Sequence, residues 1–125
     1  MTGFLLVFLG GGLGAALRHG VNLLSARGLG TAFPYATLIE NVSGSLAMGL
    51  LAGYFAFKGD ASQPMRLFLA TGVLGGYTTF SAFSLDTVLL WQRGEAALAA
   101  SYVLGSVALS IGGLVAGLAL ARHFS

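Results

Sequence analysis

The sequence predicts an all-α membrane protein with four transmembrane helices, of which the third is broken near its middle. Composition is the first observation, because 56% of the 125 residues are hydrophobic and only 8% are charged, against roughly 25% charged residues in a soluble domain. The second observation is the distribution of the apolar residues. They fall into four runs, each close in length to the roughly 20 residues that a helix needs to cross a bilayer. Short connections join these runs, so we expect one transmembrane domain over residues 1–125.

The four runs define the predicted helices in order. The first helix is predicted from about Gly3 to Leu24 and the second from about Phe33 to Phe57. The third is predicted from about Pro64 to Trp91, with Ser62 as its N-cap. The fourth is predicted from about Ala96 to Ala121.

Glycines spaced four residues apart occur on three of these helices. The pairs are Gly10/Gly14, Gly49/Gly53 and Gly113/Gly117. Within lipid, small residues at this spacing allow two helix backbones to approach closely. We therefore expect close helix packing at all three pairs.

Composition and residue types also exclude several classes of function. The chain has no cysteine, which excludes disulfides and thiolate metal sites. Its net charge is only +2, and since no basic cluster occurs we expect no nucleic-acid partner. His19 and His123 lie at predicted helix ends, and neither a catalytic triad nor transition-metal spacing is present, so we expect no enzyme.

Lysine and arginine are balanced across the predicted membrane. One side would hold Lys58, Arg66 and Arg122, and the other Arg18, Arg27 and Arg93. An imbalance of these residues normally sets the orientation of a membrane protein, and here each side has three. Two interpretations remain open. In the first, Arg18 lies within its helix and should not be counted among the Lys and Arg residues of either side. In the second, copies insert in both orientations and pair as an antiparallel, dual-topology dimer.

Residues 75–84, Gly-Gly-Tyr-Thr-Thr-Phe-Ser-Ala-Phe-Ser, interrupt the third apolar run. Hydrocarbon cannot satisfy freed backbone groups, so such a break persists only where protein or a water-filled path covers it. Breaks of this kind often mark ion or substrate sites, where freed carbonyls coordinate a cation such as Na⁺. Phe80 and Phe83 lie one turn apart, and their positive ring edges suit a small anion, although contact with lipid or core is the commoner role of phenylalanine.

Polar residues also occur at helical spacing on the second and fourth helices. Thr37, Asn41 and Ser45 follow one another every four residues, and Ser106 and Ser110 repeat that interval. Polar side chains at membrane depth usually face the bundle interior or a pathway. Asn41 alone could equally be an interhelical hydrogen-bonding residue.

Three segments in this order resemble the Fluc (CrcB) family of fluoride channels. Residues 12–18 contain Gly-Ala-x-x-Arg, residues 37–45 contain Thr-Leu-x-x-Asn-x-x-Gly-Ser, and residues 75–84 resemble Gly-Gly-x-Thr-Thr-Phe-Ser-Thr-Phe-Ser. The resemblance implies passive fluoride export through an antiparallel homodimer in the plasma membrane lipid of a prokaryotic cell. It also implies two fluoride pathways and a structural Na⁺ between the subunits.

The resemblance also implies roles for particular residues. The fluoride pathway would be lined by Asn41, Phe80, Phe83, Thr79, Ser81, Ser106, Ser110 and Thr37. Arg18 would lie in a vestibule and raise the local anion concentration. The backbone carbonyls of Gly75 and Thr78, from both subunits, would hold the Na⁺.

Three residues depart from the family pattern. Ala36 stands in place of glycine, Ala82 in place of threonine, and Glu40 where a small or apolar residue is common. An ionised Glu40 beside an anion pathway would repel fluoride, so it should be protonated, turned away or placed in the vestibule.

Two other interpretations remain open. Glu40 suits a small multidrug-type, proton-coupled exporter, but that family carries its glutamate in the first helix, and this first helix has none. A non-transporting assembly subunit would explain the glycines but not the hydroxyl-rich break.

Overall fold

The structure is a computed structural model that describes the backbone of residues 1–58 and 63–124 and the side chains of 1–55 and 63–124. Every regular element within these ranges is helical. The N-cap predicted at Ser62 and the rest of the connection at 59–62 lie outside the described residues.

The helices follow the predicted order. Helix α1 spans Thr2–Leu29 and helix α2 spans Tyr35–Lys58. The third region consists of α3 at Gln63–Arg66, a π-helical segment at Leu67–Leu74, a short α4 at Gly75–Tyr77 and α5 at Phe80–Gln92. Helix α6 spans Ala96–His123.

Three stretches among the described residues are long and apolar enough to cross a membrane. They are Thr2–Leu29, Gln63–Gln92 and Ala96–His123, which confirms three of the four predicted spans. Helix α2 has 24 residues and a length of about 36 Å. The predicted end of α1 at Leu24 is wrong, because the helix continues to Leu29. Gly30 follows as the C-cap, and its φ of 79° suits glycine above other residues.

The break lies within the predicted segment 75–84, which confirms a third helix broken near its middle. Gly75 at the start of that segment keeps helical angles, with φ of −63° and ψ of −37°, so the break is at the threonines and not at the glycines. The chain becomes extended at Thr78 (φ −86°, ψ 157°) and Thr79 (φ −153°, ψ 120°). Glycine allows a helix to break but does not make it break. Thr79 stabilises the break, because its side chain caps the next helix by accepting a hydrogen bond from the Ala82 N–H at 3.2 Å.

The π-helical segment at Leu67–Leu74 precedes the break and was not predicted. Its sequence, Leu-Phe-Leu-Ala-Thr-Gly-Val-Leu, is apolar on nearly every side. Such a run has no periodicity that distinguishes one kind of helix from another. π-Helical turns are rare and occur frequently at functional sites.

Glycines bring α1 against this segment. A Cβ atom added at Gly10 would lie 3.0 Å from the Gly72 Cα, and one added at Gly14 would overlap the Val73 carbonyl oxygen. Both contacts are with backbone, which cannot rotate away. The predicted close packing at Gly10/Gly14 is therefore confirmed.

Helices α2 and α6 pack together in the same way. A Cβ at Gly49 would overlap the Leu114 carbonyl oxygen, and one at Gly117 would overlap the Leu46 carbonyl oxygen. Added Cβ atoms at the other two glycines would meet the Ala121 Cβ (Gly53) and the Val42 carbonyl oxygen at 3.3 Å (Gly113). Both remaining glycine pairs are thus confirmed as packing positions, and they fix α6 alongside α2.

A small apolar core lies beside the break. It is formed by Leu90, Ala99 and Tyr102, with Phe33, Leu38 and Phe83 packed against it. Phe83 lies near the start of α5 and Leu90 near its end, so this core holds α5 along its length against α6 and α2.

Candidate functional site

A cavity of about 250 Å³ opens where the N-terminal end of α5 faces α2 and α6. Its lining consists of Asn41, Ser45, Thr78, Thr79, Phe80, Phe83, Ser106, Val107 and Ser110. Six of these nine residues were predicted to line an ion pathway. None of the nine carries a formal charge. We call this space the inner cavity.

Asn41 joins α2 to the extended backbone at the break. Its Nδ2 donates to the Thr79 carbonyl oxygen at 3.1 Å, and its Oδ1 accepts the Thr79 N–H at 2.8 Å. Both sides of the amide are thereby engaged, so the interhelical role considered from the sequence is present. An amide nitrogen has two N–H groups, and the second forms no hydrogen bond within the described chain. Asn41 can therefore hold the break and still donate to the cavity.

Ser106 and Ser110 place two unsatisfied hydroxyl groups on the wall of the inner cavity. Both Oγ atoms are buried and have no hydrogen-bond partner among the described residues. Helical serine and threonine commonly bond the carbonyl four residues earlier, as Ser84 and Thr87 do here at 3.0 and 2.8 Å. Because buried polar atoms are nearly always satisfied, these two hydroxyls are available to a ligand or water in the cavity.

Two phenylalanine rings stand at the α5 end of the cavity. The centroids of Phe80 and Phe83 are 5.4 Å apart, with the ring planes tilted by 45°. Phe83 is half-buried and lies 5.3 Å from the ring of Tyr102, whereas Phe80 is 78% exposed. One ring is therefore fixed by the core, and the other projects from the surface of the chain.

The break deprives two carbonyl groups of their helical donors. In a continuous helix the Thr79 N–H would bond the Gly75 carbonyl, but it donates to Asn41 instead. Likewise, the Ala82 N–H would bond the Thr78 carbonyl, but it donates to Thr79 Oγ1. The carbonyls of Gly75 and Thr78 are the two assigned to Na⁺ by resemblance, and both have a lone pair available for a cation.

A second cavity of about 350 Å³ lies between α1, α2 and the first turns of α5. Its polar lining includes Arg18, Asn22, Thr31, Thr37, Glu40 and Asp86. Arg18 Nε donates to the Gly76 carbonyl oxygen at 3.1 Å, which holds the guanidinium group at this site. We call this space the outer cavity.

The structure thus divides the predicted pathway residues between two cavities. Arg18 and Thr37 line the outer cavity and not the inner one. Ser81 lines neither, and its exposed hydroxyl lies 3.3 Å from Thr79 Oγ1.

Sequence reasoning missed Tyr102 and the role of Asp86 beside it. Tyr102 is 1% exposed and donates its hydroxyl to Asp86 Oδ2 at 3.0 Å. The signal was present, because Tyr102 lies four residues before Ser106 and extends the stripe formed by Ser106 and Ser110. From sequence alone, a tyrosine in an apolar helix does not indicate a polar role, because the partner of its hydroxyl group is known only from the structure.

Comparison with known protein families matches residues 5–118 to the family described as "CrcB-like protein, Camphor Resistance (CrcB)". The chain belongs to the CrcB family. With three stretches among its described residues long and apolar enough to cross a membrane, this CrcB-family chain is a multi-pass membrane protein, as its composition predicts.

Individual relatives are similar over nearly their whole length. A protein from Rhodopseudomonas palustris (strain BisB5), named "Fluoride-specific ion channel FluC", is 72% identical over 95% of this chain and 96% of its own. "Fluoride-specific ion channel FluC 2" from Nitrobacter hamburgensis is 66% identical over 98% of both chains. "Fluoride-specific ion channel FluC" from Methylobacterium nodulans is 60% identical over 99% of both. These names describe ion channels, not enzymes.

Proposed function

We propose that this CrcB-family chain forms a fluoride-selective ion channel that exports fluoride passively across the plasma membrane and so limits its toxicity in the cytoplasm. The observation that carries the proposal is the pair of buried, unpartnered hydroxyls of Ser106 and Ser110 in an uncharged cavity. Fluoride is small and strongly hydrated, so a pore must replace its water with other hydrogen-bond donors. The names of the relatives support fluoride as the ion.

The inner cavity suits an anion without presenting a full positive charge. Helix α5 begins at Phe80, and a helix N-terminus carries a partial positive charge with free N–H groups. The ring edges of Phe80 and Phe83 add positive electrostatic potential, and the second N–H of Asn41 adds a donor. These hydrogen-bond donors and ring edges are weak and directional. They therefore favour a small anion that accepts short hydrogen bonds over a larger anion that is attracted by charge alone.

We propose that two copies pair in opposite orientations. Phe80, at 78% exposed, leaves one side of the inner cavity unprotected, and a second copy placed against it would supply the missing wall. The balanced lysine and arginine residues favour neither orientation. Each pathway would then be lined by phenylalanine rings from both copies.

Na⁺ would be structural in such a pair. The freed carbonyls of Gly75 and Thr78 from both copies would hold it, and it would supply a fixed positive charge between the two breaks. Because a ligand stabilises the state that binds it, the purified dimer should melt at a higher temperature in NaCl than in KCl of equal concentration. Equal melting temperatures in the two salts would argue against the site.

Fluoride efflux tests the proposed function directly. Purified protein is reconstituted into liposomes loaded with fluoride and chloride, and electrodes follow each ion after dilution into a medium lacking both. We expect fast fluoride efflux that depends on the protein and leaves chloride inside, because only fluoride suits the donors of the inner cavity. Protein-free liposomes give the background rate.

A further inference from the structure

Glu40 is a buried acidic residue that the proposed pathway does not use. Its side chain is 1% exposed, and its Oε2 atom has no hydrogen-bond partner among the described residues. Glu40 lines the outer cavity, whereas its neighbour Asn41 lines the inner one. Consecutive residues of α2 therefore serve different cavities.

Few groups near Glu40 could neutralise a carboxylate. Arg18 from α1 and Asp86 from α5 line the same cavity and act on Glu40 electrostatically. Arg18 bonds the Gly76 carbonyl through Nε and forms no ion pair with Glu40 in the described part of the chain. From α6, Tyr102 donates a hydrogen bond to Asp86 at 3.0 Å and also interacts with Thr37 and, electrostatically, with Glu40.

Tyr35 is the remaining titratable group of this cavity. It belongs to α2 itself and is exposed, and since a phenol is never cationic, it contributes no positive charge to the site.

This arrangement favours the neutral form of Glu40. A buried charge without a hydrogen-bonded partner is costly, and such groups take up a proton instead. Of the two charged neighbours, the Arg18 guanidinium attracts the carboxylate and Asp86 repels it, so the two act in opposite directions and burial has the largest effect. A neutral Glu40 also presents no negative charge to an anion that enters past Arg18.

We propose that Glu40 carries a proton while the channel conducts, and that its ionisation closes the fluoride pathway. The inference rests on the proposed fluoride function. On ionisation the proton passes to water in the outer cavity, and the remaining carboxylate repels fluoride at the vestibule. The channel thereby conducts in acid and closes in alkali.

The test compares fluoride efflux from proteoliposomes at equal internal and external pH, from about pH 6 to pH 9, a range that covers buried carboxyl groups. Wild-type flux should fall by about tenfold for each pH unit above the midpoint, because one group titrates. Glu40→Gln mimics the protonated acid and should conduct at every pH at the wild-type acidic rate. Glu95→Gln is the matched control, because Glu95 lies in the turn before α6, pairs with Arg93 at 2.9 Å and lines neither cavity; this variant should keep the wild-type profile.

Three results would overturn the proposed gating by Glu40, and only the last would also overturn the fluoride function. An identical pH profile in wild type and Glu40→Gln would overturn the role of Glu40 while leaving the fluoride function standing. Loss of flux in Glu40→Gln at all pH values, the result expected of a proton-coupled exporter, would also overturn it. Absence of flux in all three proteins would overturn the fluoride function and the gating with it.

Infrared spectroscopy gives a second readout that does not depend on transport. A protonated carboxylic acid has a carbonyl stretching band that a carboxylate lacks. We expect this band in the wild type at the acidic end, its loss as the pH rises, and its absence from Glu40→Gln. A wild-type spectrum without the band at acidic pH would overturn the proposal.

Discussion

At the scale of single residues, Asn41 shows how structure and function share one side chain. Its amide pairs with both backbone groups of Thr79, and this pairing removes the helical donor of the Gly75 carbonyl. The same side chain leaves one N–H free at the inner cavity. The packing role and the pathway role considered from the sequence are thus compatible.

Unlike Asn41, Ser106 and Ser110 allow a role in the pathway to be tested separately from a role in packing. Their hydroxyls bond no described protein group, so on the proposed pathway alanine at either position would remove a donor to the ion and no hydrogen bond from the fold. Hydrogen bonds to charged groups are worth about 1.5–3 kcal/mol, which corresponds to roughly a ten- to hundredfold loss of rate. We therefore expect Ser106→Ala and Ser110→Ala to slow fluoride efflux by that factor while the melting temperature stays unchanged or rises.

Ser101 provides the control for this comparison. It lies on the same helix but is exposed, so Ser101→Ala should leave both efflux and melting temperature as in the wild type. Full fluoride flux in the Ser106→Ala, Ser110→Ala double variant would remove these hydroxyls from the pathway.

At the scale of elements, the close approach of α1 to the π-helical segment depends on Gly14. A Cβ there would overlap the Val73 carbonyl oxygen and lie 2.9 Å from the Tyr77 nitrogen. Overpacking of this kind typically costs about 1–3 kcal/mol, so Gly14→Ala should lower the melting temperature of the purified protein.

Gly12 lies on the same helix and offers a matched control. A Cβ at Gly12 meets no atom within 4 Å, so Gly12→Ala should melt no lower than the wild type. Equal melting temperatures for Gly14→Ala and Gly12→Ala would mean that the predicted helix contact is absent or yields easily.

The sequence predicted helices better than it predicted the break. Apolar length and glycine spacing carry the helices and their close contacts, because both depend on local residue types. The break at Thr78 depends instead on Asn41, which lies on another helix and competes for the Thr79 N–H. Because this competition depends on a residue of another helix, the sequence predicts the segment 75–84 that contains the break but not the residue at which the helix ends.

The division into two cavities was also beyond the sequence. Thr37, Asn41 and Ser45 share a stripe by spacing, yet Thr37 faces the outer cavity and the other two face the inner cavity. The α5 helix crosses α2 between them, as Phe83 lines one cavity and Ala82 the other. Tertiary packing sets the point at which α5 crosses this polar stripe, so the division of the stripe cannot be predicted from residue spacing.

At the scale of the whole molecule, the proposed inverted pair makes a quantitative prediction about orientation. The natural chain has no cysteine, so Glu95→Cys in the exposed turn before α6 gives one reactive thiol. A dual-topology dimer should expose about half of these thiols to a membrane-impermeant maleimide outside intact cells, since charge balance favours neither orientation. Permeabilised cells give the total, and labelling of all or none from outside would contradict the inverted pair.

Selective fluoride efflux from proteoliposomes tests the central claim most directly. With wild-type protein in liposomes that hold fluoride and chloride, the account predicts rapid release of fluoride and retention of chloride. Release of both ions at similar rates, or fluoride release no faster than from protein-free liposomes, would contradict it.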